Sequence, residues 1–136
     1  MKKVFLLLLL PAFIISCKSK APKTENTTET VVATHPEWIM QGNIYEVNVR
    51  QYTSEGTFNA FAQHLDRLKN MGVQTLWFMP VNPISKVDRK GTLGSYYAVA
   101  DYTAINPEYG TMDDWKKLVT TIHEKGMKVL IDWVPN

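Results

Sequence analysis

Two short stretches of this chain are near copies in design. LKNMG at residues 68–72 and IHEKG at residues 122–126 each close a helical pattern on glycine and pass at once into an apolar run. Those runs, 73–79 and 127–134, both lead on to a Pro and an Asn: Pro80 with Asn82, and Pro135 with Asn136. So short a join lays each helix back along the strand it feeds, and its repetition argues a parallel sheet with helices outside.

The other segments agree with that pattern. Residues 43–50 alternate, with Tyr45, Val47 and Val49 on one face and Glu46, Asn48 and Arg50 on the other, which predicts a strand. Phe58, Phe61, Ala62, Leu65 and Leu68 recur at helical spacing, with Thr57 placed to cap the start and Gly72 just past the end. His64 and residues 66–69 read as the solvated face of that helix. A second helix is predicted over residues 112–125 from Trp115, Leu118, Val119 and Ile122, with Thr111 and Asp114 as an N-cap pair and Gly126 as the stop. The nearly continuous apolar run at 73–79 suits a strand covered on both sides. These elements fit either a (β/α)8 barrel or a doubly wound sheet. Three strands buried on both faces have nothing to close against, and a barrel takes ~250 residues. The expectation is therefore a partial α/β domain, with about three strands and two helices.

The N-terminus reads as an address. Lys2 and Lys3 precede an apolar stretch at residues 4–15, too short for the ~20 residues of a membrane-spanning helix but ordered like a signal peptide. Ile14, Ile15, Ser16 and Cys17 resemble the lipobox of bacterial lipoproteins, which implies cleavage after residue 16 and acylation of Cys17. More than one acyl chain anchors stably to a membrane where a single chain binds marginally. Residues 17–36 are Thr-rich and nearly devoid of large apolar side chains, as expected of a flexible tether. The implied location is exported and membrane-anchored, with the folded domain spanning residues 37–136.

Composition excludes several chemistries. Without Lys2 and Lys3 the acids and bases balance, and no basic cluster is present, so a nucleic-acid partner is not expected. One cysteine forbids an internal disulfide framework, and neither Cys-x-x-Cys nor His-Glu-x-x-His occurs. No Gly-x-Gly-x-x-Gly or Gly-Lys-Ser/Thr motif is present to cradle phosphate.

In both architectures ligands bind at the carboxyl ends of the strands. The loop over residues 81–110 is far longer than the ~4 to 6 residues usual for connections, and it carries Tyr96, Tyr97, Tyr102 and Tyr109. Aromatic faces on a loop suit sugar rings, although each tyrosine could equally pack the loop down. Asp132 lies within the apolar run VLIDWV, where an unpartnered carboxylate is costly, so it needs a partner near the mouth of the site.

GTLGSYYAVADYTAINPEYGTMDDW (91–115) followed by GMKVLIDWVPN (126–136) resembles the alpha-amylase family, glycoside hydrolase family 13. IYEVNVRQY (44–52) and LWFMP (76–80) look like its first two barrel strands. The resemblance selects the (β/α)8 barrel and implies retaining hydrolysis of alpha-glucans such as starch or maltodextrin. It implies that Asp132 supports the cleavage subsite, that Tyr97 stacks under the sugar, and that Asp101, the aspartate that follows in the same pattern, is a further substrate-binding residue. It also implies that Asn136 is a calcium ligand, as in many members. Tyr96 stands where the family frequently has Gly, and Trp133, Val134 and Pro135 vary the middle of the motif that Asp132 opens. Retention needs two carboxyl groups ~5 to 5.5 Å apart. The family draws these from later strands, so no catalytic carboxylate is assigned here and this stretch alone is expected to be inert. The alternatives are a glycan-binding surface lipoprotein without activity, and a transglycosylase or branching enzyme on the same barrel.

Overall fold

The computed structural model describes residues 35–135. Cys17 and Asn136, with the leader and most of the tether, lie outside the described residues.

After a 3-10 turn at Glu37–Ile39, the chain forms β1 (Ile44–Val47), α1 (Val49–Tyr52), α2 (Phe58–Ala62) and α3 (Leu65–Asn70). It continues through β2 (Thr75–Phe78), α4 (Met112–Glu124) and β3 (Lys128–Ile131). The strands lie parallel in the order β1-β2-β3, with Val47 beside Phe78 and Phe78 beside Ile131.

The turn chemistry explains the boundaries. Thr57 Oγ1 accepts from the Ala60 amide at 3.3 Å and starts α2. Thr111 and Asp114 cap each other across the first turn of α4, satisfying two amides that helix geometry leaves without partners. Gly72, at φ +92°, turns the chain so that the Val73 amide reaches Leu68 O at 3.1 Å and β2 can begin.

Two predicted elements differ from the fold. The single helix expected across Phe58 to Leu68 is broken at Gln63 and His64, whose amides bond three residues back to Ala60 O and Phe61 O rather than four. His64 also sets its ring against Tyr52, with centroids 5.3 Å apart, so it is half-buried rather than fully solvated. Asp66 and Arg67 do lie on the exposed face, paired with Lys125 and Tyr52 respectively. The strand expected over 43–50 ends at Val47. Asn48 breaks the ladder, the Gln51 amide bonds back to Asn48 O, and Val49 and Arg50 enter a helical turn.

The core lies between the sheet and the helices. Val47, Leu76 and Phe78 meet Phe58, Phe61, Leu65, Leu68, Leu118 and Ile122, all buried. Phe78 makes edge contacts with Phe61 and Trp115 at centroid distances of 5.4 and 5.1 Å. The opposite sheet face carries Ile44, Trp77 and Leu130, which remain 61%, 37% and 47% exposed. Burial on both faces, expected for residues 73–79, is complete on the helix side, whereas on the other face Thr75 is buried and Trp77 is not. Among the described residues no second layer meets the other face.

Candidate functional site

Side chains alternate across a strand, and Val47, Leu76 and Phe78 face the helices. Glu46, Trp77, Leu130 and, one step past β3, Asp132 therefore belong to the other face. The Asp132 amide still bonds Phe78 O at 2.8 Å, so the ladder carries this residue to the strands' carboxyl ends.

The partner that the sequence demanded for Asp132 is Tyr97. Its hydroxyl donates to Asp132 Oδ2 at 2.7 Å across 35 positions of sequence. This bond is the main reason the Tyr97 phenol is held above its ordinary pKa, with lesser contributions from burial and from the negative charges of Asp132 and Glu46. Tyr97 therefore remains a donor across the neutral range. Its ring is 38% exposed, enough for a flat ligand to approach.

Asp101 serves its own loop. One carboxylate oxygen accepts from the Thr103 hydroxyl and amide, both at 2.7 Å, and these bonds hold its pKa below the usual range. Two of the expected sugar-contacting residues are thus bonded to each other, and the third shapes the turn that follows.

The long loop is folded in detail. Ile84 and Val99 form an antiparallel bridge, and Arg89 donates to Ile84 O and Ser85 O at 3.0 and 2.9 Å. Buried Asn82 donates to Tyr102 O and Ala104 O at 3.2 and 3.0 Å, closing the loop base. The four tyrosines divide by role. Tyr109 is in the core against Phe58, and burial pushes its phenol to about 12. Tyr102 lies against Trp133 and donates to Val134 O at 2.7 Å.

Tyr96 joins a cluster that sequence reasoning missed. The Arg50 guanidinium sits 4.7 Å from the Tyr96 ring centroid and 5.9 Å from that of Tyr109, and pairs with Glu108 at 3.0 Å. Asn48 Nδ2 donates to the Tyr96 hydroxyl at 3.2 Å. Alternation had placed Asn48 and Arg50 on the strand face opposite Val47, and no local signal announces their partners 46 to 59 positions away.

Among the described residues no three His, Cys, Asp or Glu side chains gather to hold a metal ion.

The profile of the family described as alpha amylase, catalytic domain, matches residues 21–136. Trehalose-6-phosphate hydrolase of Escherichia coli (strain K12) is 38% identical over 106 residues, covering 74% of this chain and 18% of that protein. Trehalose synthase of Pimelobacter sp. (strain R48) is 39% identical over 112 residues, covering 79% of this chain and 18% of the synthase. The crystal structure of an alpha-amylase from Lactobacillus plantarum superposes with a TM-score of 0.69 at 52% identity, covering 70% of this chain and 22% of that one. The chain spans about a fifth of the length of these relatives.

Proposed function

This chain belongs to the alpha-amylase family, and on that premise we propose that it supplies one side of the sugar-binding site of a retaining alpha-glucan hydrolase. Its three parallel strands are part of the (β/α)8 barrel formed by the family's solved members. The observation that carries the proposal is the Tyr97 to Asp132 bond at the strands' carboxyl ends, the rim where such barrels bind ligands.

The bond leaves each group available for a sugar. The Tyr97 ring offers an apolar face to axial C–H groups, while its hydroxyl is committed to Asp132 and holds that carboxylate in one orientation. The other Asp132 oxygen can accept from sugar hydroxyls. A ring set on Tyr97 and hydrogen-bonded by Asp132 is restrained in both height and rotation, which is how binding energy becomes orientation. The attacking and protonating carboxyl groups belong to later strands of the barrel, so the 136-residue chain by itself is inert in this reading.

The lipobox-like run ending at Cys17 supports a membrane anchor outside the cytoplasm, with residues 17–36 as its tether. Cys17→Ser should move the protein from the membrane to the soluble fraction. Asn136 enters as a calcium ligand by resemblance alone; a calcium-dependent rise in melting temperature of the complete gene product, lost in Asn136→Ala, is the result expected.

The deciding experiment is Tyr97→Ala in the complete gene product, assayed on maltooligosaccharides. The expected result is a rate lower by about tenfold, equivalent to about 1.4 kcal/mol, with little change in melting temperature. Unchanged kinetics would remove Tyr97 from the site. The match to a trehalose synthase favours glucosyl transfer as a second reading. Product analysis separates the two, because hydrolysis releases free reducing sugar and transfer preserves the number of glycosidic bonds.

A further inference from the structure

Tyr97 is exposed, yet its ring must occupy one place to serve as a platform. Its hydroxyl bonds Asp132, and its amide bonds Ser95 Oγ at 3.2 Å. The residue before it is tied to the core. Tyr96 is gripped on its ring face by Arg50 at 4.7 Å and at its hydroxyl by Asn48 at 3.2 Å. Arg50 is only 14% exposed and is itself fixed by Glu108 and by the ring of Tyr109. Tyr109 is buried on Phe58, and its carbonyl accepts from the Phe58 amide at 2.9 Å. A continuous line of contacts therefore runs from the core through Tyr109 and Arg50 to Tyr96.

We infer that Tyr96, held by Arg50 and Asn48, is a positioning residue that sets the Tyr97 ring against Asp132. The inference rests on the reading of Tyr97 as the sugar platform. A planar peptide bond fixes successive Cα atoms ~3.8 Å apart, so anchoring residue 96 limits how far the Tyr97 Cα can stray, and the bond to Asp132 then sets its ring. Tyr97 then reaches Asp132 without needing burial of its own, and the ring stays open to ligand. A glycine at position 96 could form neither contact.

The test is a double-mutant cycle in the complete gene product, with kcat and KM measured on a maltooligosaccharide. Tyr96→Leu removes both holds, while Tyr96→Phe keeps the ring on Arg50 and loses only the bond from Asn48. Each is made alone and together with Tyr97→Ala. The expected result is that Tyr96→Leu lowers kcat by about tenfold with KM within about twofold, a size consistent with small misplacements of a substrate-holding group. Tyr96→Phe should recover most of that loss. In the Tyr97→Ala background neither substitution should matter further, because a residue acting through Tyr97 has nothing left to act on. An undiminished effect of Tyr96→Leu in that background overturns the inference, as does an undisturbed kcat where Tyr97→Ala alone is damaging. Should Tyr97→Ala itself leave kinetics unchanged, the platform reading falls and takes this inference with it. Melting temperatures of all variants separate positioning from loss of fold, and if Tyr96→Leu does not fold, Arg50→Lys, which takes the planar guanidinium off the Tyr96 ring, carries the same cycle.

Discussion

At the scale of single residues, the most telling contacts are hydrogen bonds that fix the ionisation of their partners. The Asp114 carboxylate accepts from the Thr111 hydroxyl and amide and from Asn59, which hold its pKa at about 2. A pKa depressed on folding gives stability that is present above the unfolded value near ~3.9 and is lost as pH falls through about 2. Asp114→Ala should therefore lower the melting temperature at neutral pH, and the gap from the parent should close in strong acid. Thr111→Ala should cost about 1 kcal/mol in chemical denaturation. For Tyr97 the sign is opposite. Its phenol pKa is raised, so the bond to Asp132 stabilises the fold below pH ~10 and is lost as pH climbs through the raised value. Asp132→Asn should bring the Tyr97 phenol back toward the ordinary value, as read from the titration of its ring carbon by NMR. That Asp132 required a partner was legible from its apolar neighbours; that the partner is Tyr97 was not, because 35 residues separate them.

Among the elements, helix ends were readable, as was the unbroken run of α4, but the break within the first helical stretch was not. Thr57, Thr111, Gly72 and Gly126 mark boundaries through their own backbone and side-chain chemistry, which neighbours in sequence satisfy. The break at Gln63 and His64 leaves the apolar spacing intact, so periodicity passes straight across it. The end of β1 was hidden for a related reason: Val49 is apolar and buried in its helical turn, as the strand pattern also required of it. The turn after α1 depends on Gly56, at φ +62°, where an added Cβ would lie 2.9 Å from Arg50 O. Gly56→Ala should accordingly cost the left-handed backbone penalty and the clash together, more than about 2 kcal/mol, and disturb Arg50. Gly72→Ala meets no neighbour within 4 Å and should cost only the left-handed backbone penalty of about 1 to 2 kcal/mol. Urea denaturation of the two variants checks the ordering.

The whole described unit is a sheet with one covered face. Phe78, fully buried among aromatic rings on that side, should cost about 3 to 5 kcal/mol on replacement by Ala. On the other side Ile44, Trp77 and Leu130 form an exposed apolar surface flanked by Trp38 and Ile39. Exposed apolar surface of this kind drives association. A polypeptide of residues 35–136 should therefore self-associate in sedimentation experiments and bind a hydrophobic dye, whereas the same residues within a closed barrel should do neither. The parallel order of strands and the division into sheet and helix were set by the sequence itself, because apolar period, glycine stops and capping pairs act within a few residues. Which side chains meet at the strand ends was decided only by the tertiary structure. The bond from Tyr97 to Asp132 and the grip of Arg50 on Tyr96 join segments far apart along the chain, and such contacts exist only once β1, the long loop and β3 lie side by side.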